Sequence, residues 1–161
     1  MKNPILKLFI ISLIIFSCNN ENVITPIETT APLSVTTTKI MSLGASRVEG
    51  DRPNYESYRY ELWKLLIDGN WNFDYVGTQS DNAEYPTYLG LNFDIDHEGR
   101  GGWTAELILS QIENWLNELE HMPDVVLFSS PGGNDALGGG EYETILSNVN
   151  SIIDIIQQAN P

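Results

Sequence analysis

The residues of this chain best suited to chemistry lie in three separated glycine-rich stretches. In "SLGASRVEGDRP", residues 42–53, Ser46 stands at the tip of a small-residue turn, Gly44-Ala45-Ser46. In "HEGRGGWTA", residues 97–105, Gly101 and Gly102 precede a helical pattern. In "SSPGGNDALGGG", residues 129–140, Asn134 follows a double glycine. A hydroxyl, a backbone amide without a shielding side chain and a neutral side-chain amide are parts that acyl transfer requires. The hydroxyl attacks a carbonyl carbon, and fixed N–H donors stabilise the oxyanion that develops. Each of these residues alone is equally a turn residue. They form a site only if the fold brings them to one edge.

The hydrophobic pattern predicts elements that would do so. Lys39 to Leu43 reads as a short apolar strand. Asn54 to Asp68 reads as a helix, with Tyr55, Tyr58, Leu62, Leu65 and Leu66 at helical spacing and Asn54 as N-cap. Trp71 to Val76 alternates as a second strand, followed by a long Gly- and Asp-rich loop over residues 77–103. Thr104 to Glu120 reads as a second helix, with Ile108, Ile112, Trp115, Leu116 and Leu119 on one face. Asp124 to Phe128 is apolar on both faces, as in a central parallel strand. A glycine loop, Ser129 to Gly140, leads into a third helix, Glu141 to Ala159, with Ile145, Leu146, Val149, Ile152, Ile153 and Ile156 turned inward. Three strand–helix units imply an α/β fold with a parallel sheet and right-handed crossovers. Ligands of such sheets bind beyond the carboxyl ends of the strands, where Ser46, Gly102 and Asn134 are all expected.

Composition narrows the partners. The chain has 161 residues, 42% hydrophobic and 19% charged, which suits one globular domain. Its 22 acidic against 8 basic residues give a formal charge of −14. Such a field repels nucleic acid and anionic lipid and suits a neutral substrate better than a phosphorylated one. The lone cysteine, Cys18, excludes an intrachain disulfide. Residues 1–18 read as an export signal: Lys2 and Lys7 flank the start of the apolar run Leu8 to Phe16, which is too short to span a bilayer comfortably. Ile15-Phe16-Ser17-Cys18 resembles a bacterial lipobox, in which the cysteine becomes the lipidated N-terminus; the plainer alternative is an ordinary signal peptide with an incidental cysteine. Residues 19–37, rich in Asn, Thr, Pro and Glu, read as a flexible tether, with the domain spanning 38–161. The expected location is the bacterial cell envelope, exported and lipid-anchored, with no membrane contact beyond that anchor.

The three stretches also carry a resemblance. "MSLGASRVEG" is similar to the first block of the SGNH (GDSL-type) hydrolases, with Ser46 at the nucleophile. "GRGGW" resembles their second block and "GGND" their third, so that Ser46, Gly102 and Asn134 fall on the oxyanion positions. Within that superfamily, "SYRYELWKLL", "FDYVGTQ", "DIDHEGRGGWTAELI" and "PDVVLF" resemble the acetylxylan esterases of carbohydrate esterase family three. The resemblance implies a flavodoxin-like three-layer α/β/α fold. It implies hydrolysis of acetyl esters, on plant cell-wall polysaccharide such as acetylxylan or on small esters, through a serine acyl-enzyme without cofactor or metal. The family's Gly-Asp-Ser is Gly44-Ala45-Ser46 here, Val48 replaces a usual threonine, and Pro131 removes one backbone donor from the third loop. The family's base comes from an Asp-x-x-His after further strand–helix units, so the sequence reads as the N-terminal part of such a domain, incomplete at its C-terminus. In the implied strand order, Asp124 to Phe128 would lie between the first strand and a fourth.

Competing readings attach to several residues. Asp94-Ile95-Asp96-His97 matches the Asp-x-x-His string but precedes the second block, where a loop-stabilising role is expected for His97. Asp94, Asp96 and Glu98 lack a recognisable metal-ligand spacing. His121 is expected near a helix end, where a cation suits the dipole. Trp63 and Trp115 fall on leucine-bearing faces and are expected in the core, leaving Trp103 as the tryptophan expected to line the site. Gly138-Gly139-Gly140 lacks the Lys-Ser/Thr of a phosphate loop. The rival to an esterase is a non-catalytic carbohydrate-binding lipoprotein, or an inactive fragment, that keeps the groove and lacks the Asp/His base.

Overall fold

The computed structural model of the protein describes residues 36–160. The predicted signal peptide with Cys18, and the tether up to residue 35, lie outside the described residues. Five strands form the sheet: β1 (Thr38–Gly44), β2 (Phe73–Val76), β3 (Gln79–Ser80), β4 (Asp96–Gly99) and β5 (Val125–Ser129). Six helices among the described residues accompany them: α1 (Ser46–Glu49), α2 (Arg59–Asp68), α3 (Ala105–Leu109), α4 (Ile112–Glu118), α5 (Gly133–Leu137) and α6 (Tyr142–Ala159).

β1 organises the sheet. On one edge it pairs in parallel with β2 along Thr38 to Met41, then with β4 at Leu43 and Gly44. On the other edge it pairs in parallel with β5 from Ile40 to Gly44. β3 adds antiparallel to β4. Alternation along β1 sends its side chains into two cores. Met41 and Leu43 pack with Ile108, Ile112, Trp115 and Ile152 from α3, α4 and α6. Ile40 packs on the opposite face with Tyr60, Trp63, Tyr75 and Phe93, beneath α2. The result is a three-layer α/β/α arrangement, with Trp63 and Trp115 both buried as expected.

Several elements differ from the pattern-based expectation. α2 begins at Arg59, not at Asn54. Asn54 does not cap it, because its amide donates to Asp51 at 2.9 Å inside a turn closed by the Asp51–Tyr55 bridge. β2 begins at Phe73, leaving Trp71 exposed. The 77–103 loop contains β3 and β4, so the sheet gains two strands that strand–helix alternation does not announce. The Thr104–Glu120 helix is two helices capped by Thr104, whose hydroxyl accepts from Leu107 N–H. It breaks at Ser110, whose hydroxyl donates to the Leu107 carbonyl at 2.7 Å. The third loop holds the short helix α5. On α6, Leu146 and Ile153 point outward, at 40% and 39% exposed, while Ile152 is fully buried. β5 has β1 as its single partner among the described residues, not the two neighbours of a central strand. No helix among the described residues is long and apolar enough to cross a membrane.

Candidate active site

β1 delivers the chain to the site through Gly44. A Cβ there would stand 2.7 Å from the Ser129 carbonyl oxygen and 2.8 Å from a Val48 methyl, so only glycine lets the turn press against the end of β5. Ser46 is the first residue of α1, which places its N–H ahead of the helix's own hydrogen-bond ladder. A four-residue helix cannot sustain itself, because nucleation costs more than one turn returns. α1 is held from outside. Val48 is fully buried, and the wholly buried Arg59 donates to the carbonyls of Val48 and Glu49 at 2.7 and 3.0 Å. The same guanidinium reaches Asp81 at 2.8 Å and the Ile95 carbonyl at 3.3 Å.

Ser46 and Asn134 line one cavity of about 400 Å³, together with Ala45, Arg47, Ser129 and Ser130. Asn134 is fixed by a bond from its Nδ2 to the Trp103 carbonyl at 2.7 Å. That bond uses one amide hydrogen and leaves the other for a ligand. The next residue strengthens the tie between second and third loops: the Asp135 carboxylate accepts from Ala105 N–H, at the start of α3, at 2.8 Å. Gly102 sits in the left-handed region at φ 78° with no atom near its missing Cβ, and it is not part of the cavity wall. The Trp103 ring does not line the cavity either. It packs on Trp115 at 5.4 Å, with the Arg100 guanidinium over both rings. The fold therefore joins two of the predicted residues directly and the third through the Asn134–Trp103 bond.

Among the described residues no histidine or carboxylate lines the Ser46 cavity. His97 belongs elsewhere: it is 3% exposed in β4, and its Nδ1 accepts from Gly99 N–H at 2.9 Å. Burial, reinforced by the positive charge of Arg59, lowers its pKa from 6.5 to about 4, so the imidazole is neutral at physiological pH. The acidic residues around it are individually engaged. Asp94 accepts from Tyr75 N–H, Asp96 from the Ser80 hydroxyl, and Glu98 from Thr78 and Arg100. Burial raises the pKa of Glu98 despite those bonds. Among the described residues no group of His, Cys, Asp or Glu is arranged to hold a metal ion. His121 lies three residues past α4, exposed beside Glu120, and does not cap the helix.

No protein-family model and no curated protein matches the chain. Solved structures do. The Clostridium thermocellum family 3 carbohydrate esterase is 41% identical, with a TM-score of 0.61. A family 3 carbohydrate esterase from Talaromyces cellulolyticus is 28% identical, at 0.62, and an acetyl esterase solved as a serine-to-alanine variant with an acetate ion is 29% identical, at 0.64. Each match covers 78% of this chain and 58% of the other. AlinE4, an SGNH-hydrolase family esterase at 23% identity and TM-score 0.54, shares the fold. The fold is that of the SGNH hydrolases. Within them the chain resembles carbohydrate esterase family 3, and it spans about 58% of the length of those structures.

On this SGNH framework two supports were not foreseen from the sequence. Arg59 was hidden because a single basic residue on an amphipathic helix normally reads as a solvated position. Its only sequence signal is its place between Tyr58 and Tyr60, on the face that becomes buried. Asp135 reads in the sequence as part of a loop, although an aspartate 30 residues from a helix start can still cap it once the loops meet. Both act by fixing backbone around Ser46 and Asn134.

Proposed function

We propose that this chain carries the nucleophile and oxyanion side of a serine ester hydrolase acting on acetyl esters of plant cell-wall polysaccharide. The observation that supports it is the shared cavity of Ser46 and Asn134, with the Asn134 amide held by the Trp103 carbonyl. Ser46 Oγ attacks the ester carbonyl carbon and gives its proton to a histidine of the Asp-x-x-His kind. The oxyanion is held by Ser46 N–H and Asn134 Nδ2 in that cavity, with Gly102 N–H as the third donor that the SGNH resemblance implies. The alcohol leaves with the proton, and water then releases acetate from Ser46. The similar proteins are carbohydrate esterases and an acetyl esterase, which supports this substrate class. In the cell the protein is exported and anchored in the envelope through Cys18.

The test joins this chain to the C-terminal portion of a family 3 carbohydrate esterase. The product should hydrolyse an acetyl ester. Ser46→Ala should abolish turnover, and Asn134→Ala should reduce it roughly 10²- to 10³-fold, the scale of one oxyanion donor. Full activity in the Ser46→Ala protein would overturn the assignment. A second reading, a non-catalytic carbohydrate-binding lipoprotein, is favoured by one observation: the wall of the Ser46 cavity contains no base.

A further inference from the structure

α1 separates two cavities. Its N-terminal end faces the Ser46 cavity, and its C-terminal end opens on a second one of about 490 Å³. The second cavity lies on the β3–β4 side of the sheet, away from β5. Glu49, Asp51, Arg52, Tyr55, Asn82 and His97 contribute to its wall. We propose that this cavity binds an unesterified, neutral sugar residue of the polysaccharide whose ester lies at Ser46.

The wall chemistry selects the ligand. His97 is almost wholly buried, yet it lines the cavity. Its Nδ1 accepts from Gly99 N–H, so in the neutral ring the hydrogen sits on Nε2, which has no partner among the described residues. Nε2 is not an orphaned buried atom but is open to the cavity, where a ligand oxygen can accept its hydrogen bond. The depressed pKa of His97 keeps this a neutral donor. Carboxylates of Glu49 and Asp51, the Asn82 amide and the Arg52 guanidinium offer acceptors and donors together, as a ring of hydroxyl groups requires. Asp81, also in the wall, is already taken by Arg59, Tyr85 and Ala83 N–H and serves to hold that wall still. Tyr55 presents a ring 43% exposed at the rim, a surface for the apolar face of a sugar. The carboxylates disfavour an anion, and no group among the described residues is arranged for a metal ion.

The placement rests on the esterase reading, because it treats the two cavities as adjacent positions on one polymer. The binding itself does not, since the probe carries no ester. The chain has two histidines, so ring-labelled histidine gives two sets of resonances, and His121→Gln identifies which belongs to His97. Titration with xylotetraose should shift the His97 resonances saturably and leave those of the exposed His121 in place. Tyr55→Ala and Asn82→Ala, both at exposed positions, should each weaken the binding roughly 2- to 10-fold, the range for one neutral contact. The inference is overturned if His97 does not respond to xylotetraose at tens of millimolar, if calcium chloride produces the same shift, or if neither substitution changes the affinity. Failure here together with Ser46-dependent hydrolysis in the joined protein would leave the esterase reading standing. Binding without hydrolysis would do the reverse.

Discussion

Arg59 Nε donates to the Val48 carbonyl at 2.7 Å, from a side chain with no exposed surface. The contact ties α2 to the last turn of the helix that begins with Ser46. A cation at a helix C-terminus also complements the partial negative charge of the terminal carbonyls. Its counter-charge, Asp81, is held by the Tyr85 hydroxyl at 2.6 Å. Burial works against the charged form of Asp81, but the bonds from Tyr85, Ala83 N–H and Arg59 outweigh it and keep its pKa below the usual range.

Arg59→Met should therefore destabilise the domain by about 3–5 kcal/mol, the usual cost of removing one partner of a buried pair. Three carbonyls lose a donor as well. Arg59→Lys should recover only part of that loss, because one ammonium cannot reach the acceptors that the planar guanidinium spans. Chemical denaturation of both variants checks this. Midpoints equal to the wild type for Arg59→Met would mean that α1 is held by other contacts.

His97 sets an acid limit. Its folded-state pKa lies near 4 against an ordinary 6.5, so the folded protein favours the neutral ring while the unfolded chain takes up the proton. Stability from this group is complete above pH 6.5 and is lost progressively as pH falls toward 4. Across that window the loss amounts to roughly 3 kcal/mol. His97→Gln should flatten the dependence between pH 7 and 4, whatever its effect at neutral pH. An unchanged slope in denaturation measured across those pH values would show that His97 is not the group responsible.

Where the sequence was legible, it was legible through apolar periodicity. β1 buries its apolar run and α6 its Ile152 side, and the boundaries of β1, β5 and α6 fall within two residues of expectation, although no residue of β5 is fully buried. β4 was invisible because "DHEG" has no apolar residue, although His97, Glu98 and Gly99 are all buried. Burial there is sustained by specific bonds, Glu98 to Thr78 and Arg100 and His97 to Gly99 N–H, and no periodicity announces such bonds. The start of α2 at Arg59 departs from the helical pattern for a related reason. Tyr55 has helical spacing, but the Asp51–Tyr55 bridge holds it in a turn outside the helix. The site shows the same division. Glycine, serine and asparagine marked the loops, while the bond that fixes Asn134 ends on a backbone carbonyl, which no residue type reveals.

The anchor proposed at Cys18 gives a prediction independent of the fold. In a bacterial host the protein should partition with membranes and carry a lipid on the residue-18 thiol. Cys18→Ala should release it to the soluble fraction or stall it with the first 18 residues attached. Mass spectrometry of the N-terminus separates these outcomes. A wild-type protein found soluble with an unmodified N-terminus would remove the anchor and leave an ordinary export signal.

The last prediction concerns the outer edge of β5. The strand "VVLFS" contains no lysine or proline, and β1 is its single partner among the described residues. Val125 is 41% exposed, and Val126, Leu127 and Phe128 form an open apolar surface together with Tyr58. An apolar strand edge with unpaired N–H and C=O groups is a template for another chain, and the charged or kinked residues that usually blunt it are missing. Burying a side chain of this kind is worth roughly 1.5–3 kcal/mol, so pairing two such edges returns a sizeable share of a domain's stability. The purified 161-residue chain should therefore associate through β5, seen as a concentration-dependent mass by light scattering. Val125→Lys should shift it toward monomer. Since no histidine or carboxylate among the described residues lines the Ser46 cavity, the same preparation is expected to release no acetate from an acetyl ester above a Ser46→Ala control. A stable monomer that turns over the ester in a Ser46-dependent way would refute both halves, and would return His97 to consideration as the proton acceptor.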